Sequence, residues 1–106
     1  MAGQTITMVE GITDNLGFSL TGSDGKPVPN SAFTATVAIG DGTIVVVNIG
    51  GMQIVGIKGG TTTVIWTFTP KVGQGYEGAP LTLDPDTIII TPKSLASGIV
   101  TYTPSA

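Results

Sequence analysis

Turn-forming residues recur too often in this chain to leave room for a helix. With 16 Gly and 7 Pro in 106 residues, and Asn and Asp beside many of them, no segment sustains a helical hydrophobic period. The intervals are short and rich in Val, Ile, Thr, Phe and Tyr, whose branched or aromatic side chains fit a pleated surface. They fall at 4–9, 14–21, 32–39, 43–48, 52–57, 61–69, 86–91 and 98–103. Short strands at near-regular spacing, bounded by turn residues, predict an all-β fold. The arrangement expected is a two-sheet antiparallel sandwich of about 7–8 strands, with residues 1–106 forming one domain.

Alternation identifies the inward faces, because successive strand residues point to opposite sides of a sheet. Leu16, Phe18 and Leu20 alternate with Gly17 and Ser19. Phe33, Ala35, Val37 and Ile39 oppose Thr34, Thr36 and Ala38. Val64, Trp66 and Phe68 oppose Thr63, Ile65 and Thr67, so the only Trp lies on an apolar stripe and is expected to anchor the core.

Two runs do not alternate. In the first, Ile44, Val45, Val46 and Val47 are consecutive; in the second, Ile88, Ile89 and Ile90 are. A two-layer sandwich covers only one side of each strand, so a strand apolar on both sides is covered either by flanking loops or by another molecule. These seven residues are the candidate interface.

The turns are equally legible. Asp24-Gly25 precedes Lys26-Pro27-Val28-Pro29, Gly40-Asp41-Gly42 reads as a tight hairpin, and Gly50-Gly51 and Gly59-Gly60 punctuate the middle. The longest irregular stretch runs over 73–80. Its residues Gly73, Gln74, Gly75, Tyr76 and Glu77 form the candidate binding loop.

Composition removes most chemistries. The chain has no His and no Cys, hence neither the commonest general base and metal ligand nor any thiolate. Its acids fall in turns and at strand ends, where Asp serves local backbone bonding, so no catalytic residue, cofactor or metal is expected. Lys26, Lys58, Lys71 and Lys93 are scattered and Arg is absent, giving a net charge of −3. No basic stripe is available for phosphates, so nucleic acid is not an expected partner. No apolar run reaches the ~20 residues of a membrane helix, so no membrane partner is expected. The first residues lack the basic and apolar regions of a secretory signal, which leads us to expect a product of the cytoplasm. Only 10% of residues are charged, a surface poorly defended against association.

The segment Asn48–Val64, and within it Gly56-Ile57-Lys58-Gly59-Gly60-Thr61-Thr62-Thr63-Val64, resembles the core motif of group 2 bacterial immunoglobulin-like domains. There a Gly turn and short strand lead through Gly-x-Lys-x-Gly-Thr into the next strand. Thr21–Phe33, with Asp24, Gly25, Pro27 and Val28, is similar to the Asp, Gly and Pro-Val turn of the group 1 domains of invasin-like proteins. The runs 86–91 and 98–103 fall outside both motifs. The resemblance implies an immunoglobulin-like sandwich without catalytic residues, of a kind found in adhesins, as spacers in secreted enzymes, and on tailed-phage virions. Together with the absence of an export signal, it implies a virion structural protein: a capsid decoration or cement protein, or another accessory component bound to a protein lattice. Self-association into a ring, a trimer, is expected because homo-oligomers mostly close. The alternative is an extracellular module binding a host-surface glycan, which needs exposed aromatic faces; Trp66, Tyr76 and Tyr102 are the candidates.

Overall fold

A computed structural model of the chain describes residues 3–76 and 78–105. It is all-β. The strands are β1 (Thr5–Val9), β2 (Thr13–Asn15), β3 (Leu20–Thr21), β4 (Pro27–Val28), β5 (Phe33–Ile39), β6 (Val45–Asn48), β7 (Gln53–Gly56), β8 (Gly60–Pro70), β9 (Leu81–Thr82) and β10 (Asp86–Thr91), with one 3-10 turn at Asn30–Ala32. The run 86–91 forms a strand over its full length, and 61–69 lies within β8. The run 14–21 does not form one strand: it is paired at β2 and β3 and irregular between them.

Among the described residues the strands form three sheets. The largest has the order β1-β10-β8-β5, with β9 also pairing β8; a second has the order β2-β7-β6; β3 and β4 form a short ribbon. Two residue sets hold the large sheet in register. β5 lies antiparallel to β8 from Phe33↔Pro70 to Ile39↔Val64, and β10 lies antiparallel to β8 from Asp86↔Val64 to Ile90↔Gly60. One pairing departs from the antiparallel expectation. β1 runs parallel to β10, from Thr5↔Thr87 to Val9↔Thr91. A parallel neighbour cannot be reached through a tight hairpin, so the first strand lies beside the last one formed.

The core is contributed by both larger sheets. Met8, Phe33, Val64, Trp66, Phe68, Ile88 and Ile90 come from one, Val45 and Ile54 from the other, in a single cluster. Trp66, at 6% exposure, takes the anchoring place its stripe predicts. Phe18 sits on it edge-on at 5.1 Å, and Phe18, Phe33 and Phe68 complete a group of edge-to-face rings. Such rings gain about 0.5–1.5 kcal/mol per pair beyond the area they bury. Fully burying an aliphatic chain such as Ile90, Val45 or Val64 contributes about 1.5–3 kcal/mol more.

The two larger sheets are pinched at one end. Gly56 of β7 exchanges hydrogen bonds with its neighbours there, donating to the Ile12 carbonyl at 3.1 Å and accepting from Gly11 N–H at 2.8 Å. It stands so close to β10 that a Cβ at Gly56 would lie 3.0 Å from Ile90 Cδ1. Glycine is needed for this approach.

Beyond β10 the chain leaves the body. Residues 92–105 are exposed and belong to no strand, so the strand expected at 98–103 is absent. The segment has a strand's composition but no backbone partner within the described residues. The molecule measures 80 × 23 × 22 Å. Residues 92–105, if extended, reach about 45 Å, which accounts for much of the long dimension.

Candidate interaction surface

The two apolar runs do not form the expected two-sided faces. Ile44, Val45, Ile88 and Ile90 are core residues, from 0% to 7% exposed, and this corrects their assignment to an interface. Val47 is half-buried and packs against the same core. Outward-facing positions are left to Val46, 46% exposed on β6, and to the half-buried Ile89 on β10. These two belong to different sheets and make no common patch. Alternation was present in the backbone all along and was hidden because both parities carry apolar residues.

The irregular loop is placed in part. Gly73, Gln74 and Gly75 are exposed and Tyr76 is half-buried; Glu77 lies outside the described residues. Tyr76 leans on Gly22, where a Cβ would meet its Cε1 at 3.2 Å. With Leu20, Val28, Phe33, Phe68 and Leu81, Tyr76 lines a groove of about 420 Å³.

A second groove, of about 460 Å³, opens where the sheets diverge, toward the starts of β1 and β10. Ile54, Val64, Trp66 and Phe68 line its inner part, with Ile6 and Ile88 on one side and Leu16, Phe18 and Leu20 on the other. Gln4, Asp14 and Asp86 give it polar positions; Gln4 N–H donates to Asp86 Oδ1 at 2.8 Å. The two grooves share Leu20 and Phe68.

The wall from Asn15 to Leu20 explains why this groove is open. β2 pairs with β7 only as far as Asn15↔Gln53, because β7 begins at Gln53 and the chain before it turns back toward β6. That turn is held by Gly51 N–H donating to Asn48 Oδ1 at 3.0 Å and places Met52 at φ 53°, a left-handed conformation uncommon outside glycine. Leu16 N–H still reaches the Met52 carbonyl at 2.7 Å. Gly17, Phe18 and Ser19 then run past the end of the sheet without a backbone hydrogen bond to any described residue. Side-chain alternation survives nonetheless, with Leu16, Phe18 and Leu20 turned inward and half-buried while Gly17 and Ser19 are exposed. The result is an unpaired strand edge beside an apolar opening.

The C-terminal arm has the converse character. Leu95 and Ile99 are 101% and 94% exposed, Tyr102 87% and Val100 72%. No hydrogen bond joins residues 92–105 to any other described residue. The root of the arm is fixed: Pro92 packs over Gly59, where a Cβ would fall 2.7 Å from the ring Cγ, and the Lys93 side chain passes as closely over Gly11. Sequence reasoning missed the arm by treating its composition as sufficient for a strand. The signal available was Pro92 two residues after Ile90, followed by Lys93-Ser94-Leu95-Ala96-Ser97-Gly98, a stretch with no β-branched or aromatic residue.

Carboxylates serve here as acceptors for backbone amides, near in sequence at Asp41 and distant at Asp86 and Glu10. The Asp41 carboxylate is held below its ordinary pKa first by the Thr43 hydroxyl and then by the Thr43 backbone N–H, at 2.6 and 2.9 Å. Among the described residues no three acidic, His or Cys groups gather as a metal site, and no helix is long and apolar enough to cross a membrane. The geometry offers apolar recognition and strand pairing. No protein-family model matches this sequence, and no curated protein matches it.

Proposed function

We propose that this chain is a non-enzymatic structural protein that takes its place in a larger protein lattice, as a capsid decoration or cement protein, or another accessory component, of a tailed-phage virion. Its body is read as an immunoglobulin-like sandwich. The strand order supports this: β2, β7 and β6 occupy the places of strands B, E and D of that fold, and β5, β8 and β10 those of C, F and G. The motif resemblance in Asn48–Val64 supports the same reading. The observation that carries the assembly role is the arm, which holds Leu95, Ile99, Val100 and Tyr102 clear of the body. Four large apolar side chains exposed on one short segment suit a surface that meets another molecule.

The glycan-binding alternative draws less support. Trp66 is buried beneath Phe18, which leaves Tyr76 at a groove wall and Tyr102 on the arm as separate aromatics. Purification and imaging of particles from the producing culture tests the main reading. The chain is expected on them at symmetry-related positions; a chain that co-purifies with no particle, yet is retained on a glycan array, would reverse the order of the two.

A further inference from the structure

We propose that the C-terminal arm of one copy docks as an added strand against the unpaired Gly17–Ser19 edge of a second copy, placing Val100 and Tyr102 in the groove above Trp66. This rests on the reading of the chain as an assembly component and names its partner as another copy of itself.

Three observations converge on that occupant. The first is complementarity of backbone. Gly17, Phe18 and Ser19 lie on the groove with no hydrogen-bond partner among the described residues, and residues 98–103, on the arm, have none there either. Strand addition satisfies both sets at once, and main-chain pairing supplies affinity while pockets for alternate side chains supply selectivity. The second is complementarity of side chains. In an extended arm Val100 and Tyr102 fall on one side, and the groove offers them the half-buried Leu16, Phe18 and Leu20 over a floor of Trp66 and Phe68. A buried Tyr hydroxyl wants a polar partner, and Gln4, Asp14 and Asp86 are at hand in the same groove.

The third is direction. The groove is lined by Asp86 and Ile88 near the start of β10, whereas the arm departs after Thr91 at its far end. Pro92 and Lys93, seated over Gly59 and Gly11, set the exit there. Arm and groove therefore lie at opposite ends of the strand, and the arm travels away from its own groove. A neighbour placed ahead presents its groove to the arriving arm. Such a contact joins unlike surfaces head to tail, which generates a closed ring or an open filament rather than a two-fold dimer.

The chain has no Cys, which permits a direct test on the chain of residues 1–106. One preparation carries Ser19→Cys and another Thr101→Cys; they are mixed and oxidised. In parallel, the wild type and a variant with Leu95, Ile99, Val100 and Tyr102 all changed to Ser are compared by sedimentation over a micromolar range. We expect a disulfide between the two cysteine variants, association of the wild type, and weakening of that association by roughly 100-fold or more in the serine variant, since few anchors carry most interface energy. Because the four side chains are exposed in the single copy, its circular dichroism spectrum and melting transition, taken dilute, should match the wild type. A strictly monomeric wild type, or a serine variant that associates as tightly as the wild type, overturns the proposal. So does a disulfide that forms within one chain when both cysteines are placed on it but never between mixed chains. A monomer that nonetheless binds the particle sinks the exchange while leaving the structural role standing.

Discussion

Strand β8 and the arm are built from the same kinds of residue and meet opposite fates. Thr61–Thr69 and Gly98–Thr103 are both Thr-rich runs of branched and aromatic side chains. β8 is paired by β5 and β10, and by β9 near its end, and buries Val64, Trp66 and Phe68; the arm is paired by nothing among the described residues. Composition is common to both, so what separates them is the supply of partners. β-propensity measures how well a residue fits a surface already being formed by neighbouring strands. Where neighbours exist the propensity is realised, and where they do not it remains as unspent capacity for pairing.

Large-to-small substitution is the most forceful way to break this contrast. Trp66→Ala should cost about 3–5 kcal/mol through lost burial and the void left beneath Phe18. Ile99→Ala on the arm should change the stability of dilute, unassociated protein by no more than about 0.5 kcal/mol. Urea unfolding measures both; comparable losses at the two sites would mean that the arm is packed in the single copy.

A smaller effect is expected where the sheets are pinched. Gly56→Ala puts a methyl group 3.0 Å from Ile90 Cδ1 and 3.3 Å from the Val9 carbonyl, and overpacking of this kind costs about 1–3 kcal/mol. The same change at Gly98, which has nothing within 4 Å, should leave the melting temperature unmoved in dilute solution. A tolerated Gly56→Ala would show that the inter-sheet spacing is soft, and with it the geometry that opens the groove at the other end.

The mildest effect concerns pH. The folded Asp41 carboxyl has a pKa below its ordinary value of 3.8 because the Thr43 hydroxyl and N–H donate to it. A depressed carboxylate pKa stabilises the fold above the unfolded value, and that contribution is lost as pH falls through the folded one. Below about pH 4 the melting temperature of Asp41→Asn should therefore fall less steeply than that of the wild type. Parallel acid limbs would indicate that this turn makes no difference to folding.

The sequence was most informative where one face of a strand is buried and the other is polar. The Trp66 stripe and the inward set Leu16, Phe18 and Leu20 could be read directly, and the limits of β10 coincide with the strand expected at 86–91. Val45 and Val47 could not be told from Val46, nor Ile88 and Ile90 from Ile89, because identical residues on both parities erase the period that carries the information. The groove left no trace in the sequence at all. It arises because β7 starts at Gln53 and Gly56 draws the sheets together at the opposite end, a consequence of where strands stop relative to one another. The arm was misread for a related reason: 98–103 carries the local signature of a strand, and the partner that completes a strand is not a local property.

The parallel pairing of β1 with β10 also sets a timetable. The ladder that holds Thr5–Val9 is made with Thr87–Thr91, across a sequence separation of 82 residues at Gln4 and Asp86. On the ribosome β1 emerges well before β10 and is thus obliged to wait, with Ile6 and Met8 unplaced, until β10 has been synthesised. Contacts so distant in sequence close slowly, and at about 5–20 residues per second the delay on a translating chain lasts seconds. Throughout that interval the nascent chain exposes an unpaired edge, and only the arrival of β10 retires it.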